Sequence, residues 1–275
     1  MKGSPRLGSY ESMTFSNSAI HNPKSKIDDS AHIGTSGYNY PHWWNGVFYP
    51  SNLPPRKWLE FYAGHLHTVE LNVSFYRLPK REVFEGWHKR TPKAFFFAVK
   101  GSRFITHIKR LKECREPLAL LVDHAAPLKE KLGVVLWQLP PRFKFQRERL
   151  EEFCVLLSTL SRCKNLRHAF EFRDESWLCR ESLCILEEFN FAFCIAHGSG
   201  LPLLEAVTAN FIYLRLHGSE RLYGSNYSEK ELKSWAEKIR SWVEKGRTVF
   251  VYFNNDAYGF AVKNAFALSR LCSND

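Results

Sequence analysis

Eight short apolar runs divide the chain into repeating units. Most of them are continuous rather than alternating, and they are rich in Val, Ile, Phe and Tyr. Continuous apolar runs are typical of parallel strands that are buried on both faces. We therefore predict eight strands, which begin near Ile33, Thr68, Phe95, Val134, His168, Phe191, Phe211 and Thr248.

The segments between these runs are predicted to be helices. Strand starts recur every 20 to 39 residues, which leaves room for one crossover helix each time. After the fourth strand, Leu150, Phe153 and Leu157 repeat at helical spacing. After the seventh strand, Ser228 and Glu231 have the spacing of a capping box, which predicts the start of a helix there.

Strand–helix units repeated eight times in 275 residues predict an α/β fold, a single (β/α)8 TIM-like barrel. An open doubly wound sheet is the structural alternative. No glycine-rich phosphate-binding motif follows any strand, which disfavours a nucleotide-binding sheet.

Residues 1–30 are rich in Ser, Asn and Lys and lack the apolar core of a signal peptide. We expect them to be a flexible leader before a barrel domain at 31–275.

Polar pairs close several of the apolar runs. Residues two apart on a strand point to the same face, and ionisable groups are costly to bury unless they are paired. In a parallel barrel the carboxyl ends of all strands meet at one rim, where such folds carry their sites. The polar groups are Glu70 and Asn72, Glu171 and Arg173, Arg215 and His217, and the run Asn254, Asn255 and Asp256.

Other candidate binding residues lie at or after the ends of the first four strands. The aromatic residues after the first strand could form the wall of a pocket, or they could simply pack as a loop that seals the barrel. These further candidates are Tyr38, Trp44, Tyr76, Lys100, His107 and Gln138.

These residue types are compatible with two kinds of site. Carboxylates and His are ligands for divalent metals, but Lys100, Arg173 and Arg215 would repel a cation and suit a phosphate or carboxylate. We therefore expect no metal and no other cofactor, and an anionic small-molecule substrate. The alternative is that Glu and Arg only neutralise each other as ion pairs inside the barrel.

Glu70, Glu171 and His217 are the candidate catalytic groups, because carboxylates and imidazole can transfer protons. With Lys100, Arg173 and Arg215 holding an anion, they predict an enzyme with acid/base or hydrolytic chemistry. A binding or scaffold barrel without turnover is the alternative. Neither a G-x-S-x-G nucleophile motif nor an H-E-x-x-H zinc motif occurs in the chain.

Charge and cysteine content add two expectations. The formal net charge is +11, and residues 77–115 alone carry twelve Lys or Arg against three Glu, a net charge of +9. Such a stretch could bind nucleic acid, as a nuclease or phosphodiesterase would, or could be a plain solvated surface. The seven cysteines include no C-x-x-C pair and no apolar run reaches membrane-spanning length, so we expect a cytoplasmic protein without a membrane partner.

Longer motifs follow one another in order along the chain. They are IGTSGYNYPHWWNGVFYP, FYAGHLHTVELNVSFYRLP, WHKRTPKAFFFAVKGSRFITHIKRL, LGVVLWQLPPRF, FEFRDESW, LRLHG and VFVYFNNDAYGFAVKNA. This set resembles the YecE-like family, DUF72, a domain of unknown function. The resemblance implies a TIM-like barrel but no settled reaction. It places motif positions on all the polar rim candidates above and adds Thr106 and Trp177. Tyr38 and Tyr40 stand where the family often has Trp and Tyr.

Overall fold

Eight parallel strands close into a barrel in the computed structural model, which describes residues 30–273. Each strand pairs with the next one along the chain, and the first pairs with the last. The predicted (β/α)8 barrel is thereby confirmed, whereas the predicted leader lies outside the described residues except for Ser30. The strands are β1 (Ala31–Ser36), β2 (Thr68–Leu71), β3 (Phe96–Lys100), β4 (Leu132–Gln138), β5 (Arg167–Glu171), β6 (Ala192–His197), β7 (Phe211–Leu216) and β8 (Thr248–Phe253).

Helices follow the strands on the outside of the barrel. Within the described residues, none of them is both long and apolar enough to cross a membrane. The predicted capping box is confirmed at the last crossover, where the Ser228 and Glu231 side chains each bond the other's backbone N–H. The helices are α1 (Trp58–Ala63), α2 (Val73–Tyr76), α3 (Arg81–Lys89), α4 (Arg115–Ala125), α5 (Arg147–Thr159), α6 (Arg180–Glu188), α7 (Glu229–Glu244) and α8 (Phe260–Ser273).

The connection from β6 to β7 differs from the prediction, because residues 198–210 form no helix. Gly200 adopts a positive φ of 72°, and Pro202 follows it, so the chain turns here instead of coiling. Thr208 then ties the connection to β6: its Oγ1 accepts the Phe193 N–H and donates to the Phe191 carbonyl, both at 2.7 Å. The expected crossover helix was therefore wrong at this position.

The strands bury apolar side chains on both faces, as their continuous apolar runs predict. The outer faces pack against the helices in the larger of two buried clusters. The inner cluster combines small residues of β3, β5 and β6 with rings of β7 and β8. Side chains therefore fill the lumen below the carboxyl rim. Its members include Ala98, Ala169, Ala192, Cys194, Phe211, Tyr213, Phe250 and Tyr252.

Candidate functional site

Three predicted site residues form a buried ion cluster just inside the carboxyl end of the barrel. Nη2 of Arg215 donates to Oε1 of Glu70 at 2.7 Å, and Nη1 of Arg215 donates to Oε2 of Glu171. The three residues come from β7, β2 and β5, and none is more than 1% exposed. The ion-pair alternative that the sequence left open therefore describes this part of the site.

Glu70 has donors on both carboxylate oxygens. Oε1 also accepts the hydroxyl of Ser36 at 2.6 Å, and Oε2 accepts the hydroxyl of Tyr213 at 2.7 Å. A carboxylate with this many charged and neutral donors is held in one position. Glu70 is thus suited to orienting Arg215 rather than to approaching a ligand.

Glu171 links the buried cluster to the rim. Its Oε1 forms a close ion pair with Nε of Arg173, although the two groups lack hydrogen-bond alignment. Burial by itself would raise the pKa of Glu171, but Arg173 and Arg215 outweigh it and hold that pKa well below its usual value of 4.5. Burial likewise opposes the charge of Arg215, and the two carboxylates overcome it and raise the Arg215 pKa. Both partners therefore stay charged.

His217 is a fully buried, neutral imidazole between Arg173 and Asn254. Burial, followed by the charge of Arg215, lowers its pKa well below 6.5. Nε2 lies 3.4 Å from Nη2 of Arg173, and Nδ1 lies 3.2 Å from the side-chain amide of Asn254. A guanidinium can only donate, so Nε2 is the acceptor in the contact with Arg173. Asn254 presents its amide nitrogen Nδ2 to Nδ1, and because a neutral imidazole has one acceptor nitrogen, only one of the two contacts is a hydrogen bond at a time.

The ring of Tyr223 lies edge-on to His217, with 5.4 Å between the centroids. Tyr223 itself is 43% exposed and has a positive φ of 62°. His217 is therefore separated from solvent by a side chain on the loop between β7 and α7.

A layer of buried and half-buried polar groups lies nearer to solvent than the ion cluster. Lys100 is its most informative member: it is 8% exposed, and its Nζ lies 4.1 Å from the centroid of Phe75. No carboxylate of the described residues lies within 4 Å of this amine. Burial and the charge of Arg215 lower the Lys100 pKa to about 8. This rim layer comprises Asn72, Lys100, His107, Gln138, Arg173 and Asn254.

His107 lies on the π-helical turn Phe104–Ile108, which follows β3, and the charge of Lys100 acts on it. Its Nδ1 lies 2.9 Å from Oγ1 of Thr106, and its ring packs 5.0 Å from that of Phe75. Burial lowers the pKa of His107 to about 4, with the charges of Lys100 and Arg103 acting in the same direction. His107 is therefore neutral at physiological pH.

Two amides complete the rim layer. Oδ1 of Asn72 is buried and has no hydrogen-bond partner among the described residues. Gln138 ends β4 with its Cα opposite that of Glu171. Asn72 lies two residues after Glu70, and Gln138 lies opposite Glu171. Both amides therefore border the opening above the ion cluster.

Five of the sequence candidates lie outside this arrangement. Tyr38 packs against Tyr62 at 6.2 Å and Trp44 against Trp58 at 5.9 Å, both on the helix side of the barrel. Asn255 is buried in a separate amide network, as described below. Asp256 pairs with His42 at 3.2 Å, and burial raises its pKa. Tyr76 is 73% exposed at the edge of the rim.

Sequence reasoning missed Ser36 and Tyr213, and it named Tyr40 only among the aromatic residues that could form the wall of a pocket. Ser36 and Tyr213 hold Glu70, and Tyr40 donates to the Ser36 carbonyl at 2.5 Å. Tyr213 precedes Arg215 by two residues, so the same-face rule applied one step earlier would have found it. Tyr40 rather than Tyr38 faces the charged cluster, since Asp256 and Glu70 add to burial in raising its pKa.

Within residues 30–273, no three His, Cys, Asp or Glu side chains are grouped as a metal site would require. The carboxylates of Glu70 and Glu171 face guanidinium groups instead. The donor set of the described rim is thus suited to anions more than to cations.

A groove of about 420 Å³ lies elsewhere, between α3 and residues 126–131. Its charged lining pairs within itself, as in Lys89 with Glu85 at 2.7 Å, or with neighbours, as in Arg81 with Asp123 at 3.1 Å. The Lys, Arg and Glu side chains of this lining are exposed, and exposed ion pairs are worth little energetically. We therefore place the candidate site at the rim.

Similarity to known proteins extends over most of the barrel. The UPF0759 protein YunF of Bacillus subtilis is 28% identical over an alignment that covers 85% of this chain and 91% of that protein. The UPF0759 protein YecE of Escherichia coli K12 is 35% identical over 85 residues, 31% of each chain. A DUF72 family protein of Thermotoga maritima superposes with a TM-score of 0.79 at 29% identity, covering 89% of this chain and all of that chain.

A DUF72 family protein of Enterococcus faecalis has the same fold, with a TM-score of 0.75 at 21% identity over 89% of this chain and 96% of that chain. The family model described as "Protein of unknown function DUF72" matches residues 32–275. The chain therefore belongs to the DUF72 family.

Proposed function

We propose that this protein is an enzyme that binds a phosphate- or carboxylate-bearing substrate at the carboxyl rim of the barrel. The observation that carries the proposal is the charge of the site. Glu70, Glu171, Arg173 and Arg215 sum to zero, so a protonated Lys100 adds one uncompensated positive charge. An anion would neutralise that charge.

Lys100 and the side chain of Arg173 are each 8% exposed, whereas Arg215 is 1% exposed. The first two are therefore the groups that could contact the anion. Arg215 was a sequence candidate for the same task, but both its terminal nitrogens are occupied by carboxylates. It is better suited to positioning Glu171 and Glu70.

The same geometry supports proton transfer by His217. A substrate anion that drew Nη2 of Arg173 towards itself would release Nε2 of His217 to act as a general base. Oε1 of Glu171 lies 3.8 Å from that nitrogen and stays ionised, so it would stabilise the imidazolium that forms. Tyr223 would have to move aside for a substrate to reach the ring.

A thermal-shift screen tests this proposal. We expect phosphate esters or small carboxylates to raise the melting temperature, and Lys100→Met and Arg173→Met each to weaken binding about tenfold or more through the loss of a charged hydrogen bond. Lys109→Met is the matched control, because Lys109 pairs with Glu113 on the surface. The proposal fails if no anion stabilises the protein, or if the two rim variants bind as the control does.

Nucleic-acid binding is the second candidate, because part of the basic stretch flanks the rim. Arg103 and Arg110 are exposed, act on the pKa of His107, and have no carboxylate within 4 Å among the described residues. Phe104, next to Arg103 in the chain, is 44% exposed, and Tyr76 at the edge of the rim is 73% exposed. Cations mixed with exposed rings suit a single strand, whose bases can stack.

Salt dependence separates the two candidates. Other cations of the stretch are already paired, including Arg90 with Glu60 at 2.7 Å and Lys89 with Glu85. If nucleic acid binds, Arg103→Gln and Arg110→Gln should each reduce the slope of log K against log salt by about 0.7 to 0.9, while Lys89→Gln should not. Affinity for a single strand that is absent even at low salt would exclude this candidate.

A further inference from the structure

We propose that Lys100 forms a covalent imine with a small aldehyde or ketone that carries a carboxylate or phosphate group. The inference rests on the proposed anion-binding function and names its substrate class. It adds a covalent role to an amine that the proposed function uses only for its charge.

The surroundings of Lys100 differ from those of an ordinary structural lysine. The residue ends β3 and is 8% exposed, and Phe75 covers one side of its amine at 4.1 Å. Among the described residues, no carboxylate lies within 4 Å of it. Lys131 provides the contrast: it is 4% exposed, and its Nζ donates to the His88 carbonyl at 2.6 Å and to the Thr91 carbonyl at 2.7 Å.

Lys100 also has access to its reactive form. Burial and then the charge of Arg215 lower its pKa to about 8, against the partial opposition of Glu171 and Glu70. About one amine in ten is then neutral at pH 7, compared with roughly one in a few thousand for an unperturbed lysine. Only the neutral amine has the lone pair that attacks a carbonyl carbon.

The reaction balances without a further reagent. The Nζ lone pair forms a bond to the carbonyl carbon, the carbon–oxygen π pair moves to oxygen, and a proton passes from the nitrogen to that oxygen. The hydroxyl group of the resulting carbinolamine takes up the proton that the ammonium group lost on becoming the free amine, and it leaves as water while the nitrogen lone pair forms the carbon–nitrogen double bond. In sum, an ammonium group and a carbonyl compound give a protonated imine and water.

The site suits this product because the positive charge is conserved. The iminium nitrogen would stay beside the Phe75 ring, where a cation is already accommodated. Glu171 and Glu70, which favour the charged form of Lys100, would favour the iminium as well. Arg173, at the same rim, is placed to bind the anionic group of the substrate.

Borohydride trapping tests the proposal. The full chain is incubated with pyruvate or dihydroxyacetone phosphate and reduced, which converts an imine to a stable secondary amine. We expect the intact mass to increase by that of the ligand's acid form less one oxygen atom. Peptide mapping should place the adduct on Lys100, with labelling on the order of a hundredfold faster than at other lysines. Lys100→Arg should remove the adduct, and Lys109→Arg should retain it.

Two further kinds of probe separate imine formation from anion binding. Acetone has no anionic group, so it should label Lys100 at least about tenfold more slowly than pyruvate does, reflecting one lost charged contact. Lactate and glycerol 3-phosphate lack the ketone carbonyl and report anion binding alone by thermal shift.

If lactate or glycerol 3-phosphate binds but no carbonyl probe labels Lys100, the imine is excluded and the anion site stands. If none of these anions binds and no adduct forms, both proposals fail. Labelling spread evenly over the lysines, or equal labelling by acetone, also overturns the inference.

Discussion

At the scale of single residues, the most consequential feature is the charge buried with Arg215. Its guanidinium joins Glu70 and Glu171, and all three are essentially inaccessible. Desolvating three charges is expensive, and their mutual attraction repays the cost only while every partner is present. The residues that look most catalytic in the sequence are therefore also those on which the stability of the barrel depends.

Arg215→Ala should destabilise the protein by about 3–5 kcal/mol, because it leaves two carboxylates buried without their shared partner. Urea unfolding measures this loss. Arg173→Ala is the matched control, since Arg173 contacts Glu171 and His217 from the rim side and its removal leaves the Arg215 pairs intact. A loss for Arg215→Ala no larger than that for Arg173→Ala would contradict a stabilising role for the buried cluster.

The depressed pKa of Glu171 predicts how stability responds to acid. Its folded-state pKa lies below the usual 4.5, so the unfolded chain binds a proton at a higher pH than the native protein does. Stability from this group is complete above about pH 4.5 and is lost as the pH falls below it. The free energy of unfolding should therefore fall less steeply between pH 5 and about 3 in Glu171→Gln than in the wild type, and identical slopes would contradict the assignment.

At the scale of elements, three asparagines join the loop before α7 to α8. Nδ2 of Asn255 donates to the Ser225 carbonyl at 2.9 Å and to Oδ1 of Asn264 at 2.8 Å. Nδ2 of Asn264 donates in turn to Oδ1 of Asn226 at 2.9 Å. This network fixes the two segments that follow β7 and β8, and hence the frame around His217 and Asn254.

Asn255→Asp keeps the shape of the side chain but removes both of these donors. A carboxylate would then face two oxygen acceptors in a buried site, so we expect a loss of about 2–4 kcal/mol in the free energy of unfolding. Asn254→Asp, one residue earlier and half-buried beside His217, should cost less. Equal stability of Asn255→Asp and the wild type would show that the network does not hold these loops.

At the scale of the whole molecule, barrel closure restricts which residue type can occupy position 34 of β1. This strand pairs with β8 over five residues but with β2 over two, at Thr35 and Ser36. Just before that seam, a Cβ added to Gly34 would lie 2.1 Å from the backbone oxygen of Thr68. The approach of β1 to β2 therefore requires glycine at this position.

Gly34→Ala should cost about 3 kcal/mol or more, because the backbone of β2 would have to shift to relieve the overlap. Gly86→Ala is the control: Gly86 lies inside α3 with nothing within 4 Å of the added atom. There we expect a gain of up to about 1 kcal/mol from the better helix former. Chemical denaturation of both variants checks the pair, and comparable effects would argue against a closure constraint at β1.

The sequence by itself determined the strands, most helices and the position of the rim. Continuous apolar runs reveal two-sided burial, the Ser228–Glu231 spacing reveals a helix start, and the two-residue period reveals which polar groups share a face. These features depend on residues that are close together in the chain, so short sequence patterns are enough to predict them. The period did not separate Asn254 from Asn255 and Asp256, which the sequence offered together, and the structure brings Asn254 to His217.

Only the tertiary structure decided how deep each group lies and which partner it meets. Glu70, Glu171 and Arg215 belong to strands that are not neighbours, and they meet across the lumen. The height of a residue in a barrel depends on strand tilt and stagger around the whole closed sheet, which no single segment encodes. For that reason the sequence could propose Arg215 and Lys100 as equals. Closure buried Arg215 between two carboxylates, whereas no carboxylate of residues 30–273 lies within 4 Å of the Lys100 amine.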